Sequence, residues 1–395
     1  MRIAFFSETF LPKVDGIVNT LCHLLDYLAA EGHESLLFTP RSGRSEENVT
    51  QYAATRIVRY PGLPLPFYPE VRLALPDWRL GRQLRAFGPH LIHVVNPVTL
   101  GLAGLWQARR LQVPAVASFH TDVAGFACDW GFSALARPIW AGLRLTHNLA
   151  DLNFCPSQET AQQLREQRIK RVKVWSHGVD SRRFHPDKRT AVWREKLSDG
   201  ERDKPILLFV GRVSWEKRVD WLRPLMAALP DARLAIVGDG PARRPLTKQM
   251  SGLPVVFTGY LRGEALAQAY AAADLFVFPS PHETFGNVVL EAMSSGLPVI
   301  APRSGGLLDF TRDGVHGLLF DADDQAAFIA AVQRLLADRE WARQLGRNGR
   351  SHAEALSWAN VSEKLIVDYQ ALLQENGHWQ PDRVQQFAQQ MKLVK

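Results

Sequence analysis

Glu283 and Glu291 stand eight positions apart within PHETFGNVVLEAMSSGLPVI, residues 281–300. The apolar run Leu275–Phe278 before them reads as a buried parallel strand. Gly286–Ser295 reads as a helix with Val289, Ala292 and Met293 on its buried face. Glu283 then lies in the loop before a helix, and Glu291 within its first turns. A helix N-terminus presents unpaired N–H groups and a partial positive charge, which suits phosphate. A carboxylate accepts hydrogen bonds from hydroxyls. Together they fit a ligand carrying both phosphate and sugar hydroxyls. An isolated pair of glutamates at a helix start more often serves as capping and dipole partners.

Further candidates sit on other loops. Arg212 and Lys217 share Gly211-Arg212-Val213-Ser214-Trp215-Glu216-Lys217, after a strand read at Pro205–Arg212. Two cations on one loop can hold a diphosphate; a solvated basic loop is the plain alternative. Gly16, in Pro12–Thr20, lets a phosphate approach the backbone before a helix starts, and an ordinary turn has the same composition. His120, with the weaker candidate Asp122, ends a strand, where ligands of parallel sheets bind. Asp321-Ala322-Asp323 looks like a metal-binding pair, but it follows a strand and begins a helix. Asp323 is therefore read as an N-cap, and no metal site is expected.

The elements that must position these residues alternate in type. Strands are read at Arg2–Ser7, Glu34–Thr39, Leu91–Val95, Ala115–Phe119, Leu152–Cys155 and Val172–Trp175. Helices are read at Ile17–Glu31, Leu100–Leu111 and after the N-cap Ser157. The second half repeats the pattern, with strands at Ala232–Val237, Val255–Gly259, Val299–Ala301 and Gly317–Phe320, and helices at Val219–Ala228 and Gly263–Ala272. Alternation of this kind implies an α/β protein with two Rossmann-like, doubly wound domains facing across a cleft. The expected division is 1–186, a charged linker 187–203, 204–356, and a closing segment 357–395.

The chain has 395 residues, 46% apolar and 22% charged, as in a globular protein. Membrane spans need an apolar run of about 18 residues, and none approaches that. The three cysteines, Cys22, Cys128 and Cys155, suggest no metal spacing or disulfide framework, and a cytoplasmic location is expected. Residues 1–186 hold 21 Lys+Arg against 15 Asp+Glu, nearly all of the net charge of +7. That half is expected to meet something anionic. Six arginines, Arg56, Arg59, Arg72, Arg79, Arg82 and Arg85, lie among Leu63, Leu65, Phe67, Tyr68 and Trp78, and the aromatic-rich Phe126–Trp140 follows. Arginine with aromatics suits an anionic membrane surface.

The Glu283–Glu291 segment closely resembles the E-x7-E signature of retaining glycosyltransferases of family 4, which have the GT-B fold. The Arg212–Lys217 loop, the Gly16 loop, the strand end at His120, Gly238-Asp239-Gly240-Pro241, Gly259-Tyr260 and Ser357-Trp358 match the same family. The resemblance implies hexose transfer from a nucleotide sugar, a co-substrate, with no cofactor and no metal. It implies catalytic roles for His120, Arg212, Lys217 and Glu283. Phe285, Gly286 and Asn287 would hold the donor sugar through backbone amides, Glu291 the ribose, Tyr260 the base region, and Gly16 the diphosphate. Trp175–Asp180 resembles the family's N-G-V-D turn with His177 in place of Asn, so Gly178 and Asp180 are read as structural. Pro64–Pro76 resembles the lipid-glycosylating branch, which implies a lipid acceptor such as diacylglycerol and peripheral membrane binding. Alternatives are a soluble or polysaccharide acceptor, a non-hydrolysing sugar-nucleotide epimerase, and a binding protein without turnover. Nucleic acid is not expected as a partner, since no recognition motif is present.

Overall fold

The computed structural model describes residues 1–377 apart from Val14, 43–47, 66–67, 75, 126–130 and 282. The closing residues Gln380–Lys395, Phe67, Cys128 and the first five residues of the stretch Phe126–Trp140 therefore lie outside the described residues.

Continuous apolar runs form strands buried on both faces, as parallel sheets covered by helices require. The first sheet has eight strands. Their spatial order is Val172–Val174, Leu152–Cys155, Ala115–Ser118, Leu91–Val95, Arg2–Ser7, Glu34–Pro40, Thr55–Tyr60 and Gln51–Tyr52. All pairs are parallel except the last. The second sheet has six parallel strands, in the order Val255–Gly259, Arg233–Val237, Ile206–Val210, Leu275–Val277, Val299–Pro302 and Gly317–Phe320. A small antiparallel pair, Gly62–Leu65 with Tyr68–Ala74, lies apart.

Strand order reverses once in each sheet. The reversals fall between Arg2–Ser7 and Leu91–Val95, and between Ile206–Val210 and Leu275–Val277. Loops leaving the carboxyl ends of these strands diverge there and open a crevice. Arg212, Lys217 and Glu283 sit on those loops, Gly16 begins the helix after Arg2–Ser7, and His120 follows the neighbouring strand Ala115–Ser118.

Two elements tie the halves together. Residues 187–204 carry a helix, Ala191–Leu197, whose Leu197 is buried. Arg189 and Arg194 pair with Asp274 at 3.1 and 2.9 Å, fastening this stretch to the second sheet. The last helix, Trp358–Glu375, begins at Ser357, whose hydroxyl accepts from the Asn360 N–H, and returns to the first sheet. Its Leu365, Ile366, Tyr369, Leu372 and Leu373 pack into the first sheet's core. Tyr369 Oη lies 2.5 Å from His93 Nδ1, inside that core.

Candidate active site

A cavity of about 760 Å3 opens between the two sheets. Gly16 and His120 line it from the first, and Arg212, Lys217, Glu283, Phe285, Gly286 and Asn287 from the second. With Asp122, which also lines it, nine of the eleven site residues singled out in the sequence thus meet in one space, although they span positions 16 to 287.

Lys217 and Glu283 form an ion pair at its floor, with side chains 19% and 17% exposed. The Ser280 hydroxyl donates to the same Glu283 oxygen at 3.0 Å. Beside the pair begins the helix Asn287–Ser294. Its N-cap is Gly286, in the left-handed region at φ 93°, and no side chain caps its first N–H groups. A Ser, Thr or Asp there would have taken those donors; glycine leaves them for an anion. Gly305 and Gly306 hold this loop from behind. The Gly306 N–H donates to the Glu283 carbonyl at 2.8 Å, and a Cβ on Gly306 would collide with the Thr284 carbonyl. Gly238 and Gly240 brace the cation loop similarly, against the carbonyls of Gly211 and Val213.

The first domain's helix Gly16–Ala30 is different. Asp15 caps it, accepting from the Val18 N–H at 2.9 Å, and pairs with Lys13 at 2.9 Å. Gly16 therefore starts a helix already capped by Asp15, and a Cβ on it would lie 3.6 Å from the Asn287 amide of the facing domain.

His120 is held by its backbone. Its N–H donates to Asn96 Oδ1, and its carbonyl accepts from the Thr284 hydroxyl, each at 3.2 Å. Thr284 thereby links the second domain's glutamate loop to the first domain. The His120 ring faces His177 at 5.8 Å and Trp175 at 5.9 Å. Burial, followed by the neighbouring imidazoles, drives the His120 pKa well below its usual range. Burial holds His177 at about 4. Both rings are neutral near pH 7. His177 Nδ1 lies 2.8 Å from Asn287 Oδ1, an oxygen that only accepts, so that nitrogen carries the proton.

Glu291 and Tyr260 do not line the cavity. Glu291 lies one turn along the helix from Asn287, where Tyr270 Oη donates to it at 2.9 Å. Burial raises its carboxyl to about 7. Tyr260 is 66% exposed, and its hydroxyl donates to the Asp239 carbonyl at 3.2 Å. Asp323 is not the N-cap expected. Asp324 caps Gln325–Ala337, accepting from the Ala327 N–H at 2.8 Å, while Asp323 pairs with Arg218 at 2.6 Å. The turn begins one residue later because Asp324 is the last residue with non-helical dihedrals. Sequence reading gave no cavity role to His177, Thr284, Gly305 or Gly306. A Gly-Gly pair after a strand is the signal that could have flagged the last two.

The basic stretch of the first domain is less free than its composition. Arg59 donates to the carbonyls of Leu11, Pro40 and Val49, and Arg72 to that of Gly62. Arg82 instead lies over the Trp78 ring at 4.5 Å, with Trp78 itself 66% exposed. Arg110 covers Trp106, 58% exposed, at 5.4 Å. The two helices that carry them, Trp78–Phe87 and Thr99–Leu111, pack where Gly81 meets Gln107. Leu65 and Tyr68 have side chains outside the described residues. No described helix is long and apolar enough to cross a membrane.

Comparison with known proteins places this geometry. Residues 14–183 match the model of Glycosyltransferase Family 4, and residues 204–338 that of Glycosyl transferases group 1. A GDP-mannose-dependent alpha-mannosyltransferase of Mycolicibacterium smegmatis is 42% identical over 94% of this chain and 98% of its own. The chain belongs to glycosyltransferase family 4. Sulfoquinovosyl transferase SQD2 of Arabidopsis thaliana is 37% identical, over 92% of this glycosyltransferase and 72% of its own length. A sucrose-phosphate synthase from Thermosynechococcus elongatus superposes with a TM-score of 0.77 at 26% identity, covering 95% of this chain and 99% of that one. The fold of this glycosyltransferase is GT-B, as its motifs implied.

Proposed function

We propose that this glycosyltransferase moves a hexose from GDP-mannose or a UDP-hexose to a lipid at a membrane surface, retaining anomeric configuration and needing no metal ion. One observation carries the reading: the Lys217–Glu283 ion pair beside an uncapped helix N-terminus in an interdomain cavity. The Glu283 carboxylate there stands in for a phosphate. An incoming diphosphate takes Lys217, with Arg212 and the helix N–H groups, and releases Glu283 to accept hydrogen bonds from sugar hydroxyls. Glu291, which lies outside the cavity lining, accepts the ribose hydroxyls after giving up its hydrogen bond from Tyr270 as the donor binds.

Transfer breaks the bond between the anomeric carbon and the phosphate oxygen, which keeps the electron pair. The cations and helix dipole stabilise that developing charge. The acceptor oxygen bonds to the anomeric carbon on the same face, and its proton passes to the departing phosphate. Neutral His120 positions hydroxyls by hydrogen bonding rather than acting as an acid. The name of the Mycolicibacterium relative supports GDP-mannose as donor, and that of the Arabidopsis relative supports transfer of a hexose-derived sugar. The exposed Trp78 and Trp106, each under an arginine, support docking on an anionic bilayer.

The test is a donor panel, UDP- and GDP-sugars with vesicles carrying diacylglycerol together with monoglucosyldiacylglycerol, reading released nucleotide and labelled lipid. Label in lipid from one donor is the expected result. Nucleotide release without lipid label would move the acceptor to a soluble molecule. Donor interconversion without any acceptor would favour epimerase chemistry.

A further inference from the structure

The cavity's charges are divided between its walls. Its cations, Arg212 and Lys217, come from the second domain. Among the described residues, the first-domain wall contributes no Lys or Arg to the lining. It contributes Asp15, which pairs with Lys13, and, with no cation beside them in the lining, Asp122 and a face of the helix Gln158–Glu166, made of Glu159, Gln162, Gln163 and Glu166. These residues follow helical spacing because Ala161 and Leu164 take the opposite, buried face. Gln163 donates to Asp122 at 2.9 Å, and Gln162 to Glu166 at 3.0 Å. Asp122 also accepts from the Gly125 N–H at 2.8 Å, and Glu159 from the Gly305 N–H of the second domain; the remaining carboxylate lone pairs and amide groups are left for a ligand. His120, only 9% exposed on the same wall, keeps a buried Nδ1 with no protein partner.

Resting on the lipid-acceptor reading, we propose that this wall is the acceptor subsite and that it takes an uncharged, hydroxyl-rich headgroup, such as a glycosylated diacylglycerol or another polyol lipid, and rejects phosphate-bearing headgroups. Three carboxylates without a cation repel an anion, and specificity built on repulsion discriminates as well as added contacts do. Hydroxyls donate to carboxylates and amides, so a polyol satisfies the wall that a phosphate opposes. The diphosphate meets no such barrier, because it binds the opposite wall. Plain diacylglycerol, with one hydroxyl, leaves most of the wall unpaired and serves as a poor acceptor.

The test uses the full chain and vesicles of phosphatidylcholine in which phosphatidic acid is adjusted so that the total anionic share is the same for every acceptor, which holds surface charge constant without supplying headgroup hydroxyls. The vesicles carry monoglucosyldiacylglycerol, diacylglycerol or phosphatidylinositol. The donor is whichever nucleotide sugar the protein turns over. The expected result is preference for the glucosyl lipid over phosphatidylinositol by about tenfold or more in kcat/KM. Glu166→Lys, at an exposed position, should narrow that ratio by about tenfold, with the donor KM unchanged. Phosphatidylinositol used as well as or better than the glucosyl lipid, or a ratio untouched by E166K, overturns the inference and leaves lipid acceptance standing. Nucleotide release with transfer to none of these lipids overturns both.

Discussion

Lys217 and Glu283 neutralise each other on the cavity floor, so each single substitution leaves a partly buried charge without its partner. Lys217→Ala should cost roughly 1–3 kcal/mol in unfolding free energy and lower kcat by roughly a hundredfold or more. Pairing Lys217→Met with Glu283→Gln should recover the stability and not the activity, which separates a structural pair from a catalytic one. Chemical denaturation and initial rates on the same preparations read both. Glu291 makes a second prediction at this scale. Burial raises its carboxyl to about 7, and the ionised form, with both oxygens free of protons, accepts more strongly from two ribose hydroxyls. Affinity for GDP or UDP should therefore weaken as pH falls from about 8 to 6, and Glu291→Gln should flatten that dependence in calorimetric titrations. A wild-type affinity independent of pH would remove Glu291 from nucleotide binding.

At the scale of elements, glycines decide where loops can go. Gly286 sits at φ 93°, and a Cβ there would also meet Leu307. Gly306 has a negative φ, but a Cβ would run into the Thr284 carbonyl. Gly306→Ala should push the glutamate loop into the cavity, lowering both melting temperature and donor affinity; melting curves with and without nucleotide check it. The strands were legible because parallel strands covered on both faces are continuous apolar runs, as at Ile206–Val210 and Leu275–Val277. The glutamate helix was legible as Gly286–Ser295, but its start one residue later, with Gly286 as an N-cap that offers no side chain, shows only in the structure. The His177–Asn287 hydrogen bond was not, because its partners lie 110 positions apart and only the fold joins them. Charge counting likewise showed six arginines in Arg56–Gly88 without showing that Arg59 and Arg72 are spent on backbone carbonyls.

At the scale of the molecule, a basic aromatic surface and an acidic acceptor wall belong to the same domain. Trp78→Ala with Trp106→Ala should release the protein from phosphatidic acid vesicles in sedimentation while sparing turnover of detergent-dispersed acceptor; binding to wild type should fade with salt. Stability against pH is another property of the whole. His93 is held at about 3, and His147 and His177 at about 4, by burial, against an unfolded value near 6.5. The unfolded chain binds those protons first, so stability present above pH 6.5 is lost as pH falls toward 4, by roughly 2 kcal/mol per histidine at pH 5. Glu291, raised instead of lowered, works in the opposite sense, one group against three. The melting temperature should therefore fall between pH 7 and 5. The most direct test of the central claim is the anomeric configuration of the transferred hexose, read by NMR on the lipid product of wild-type protein, with Lys217→Ala run in parallel. The account predicts the configuration of the donor in the product and little product from the variant. Inverted configuration, or a variant as active as wild type, would contradict it.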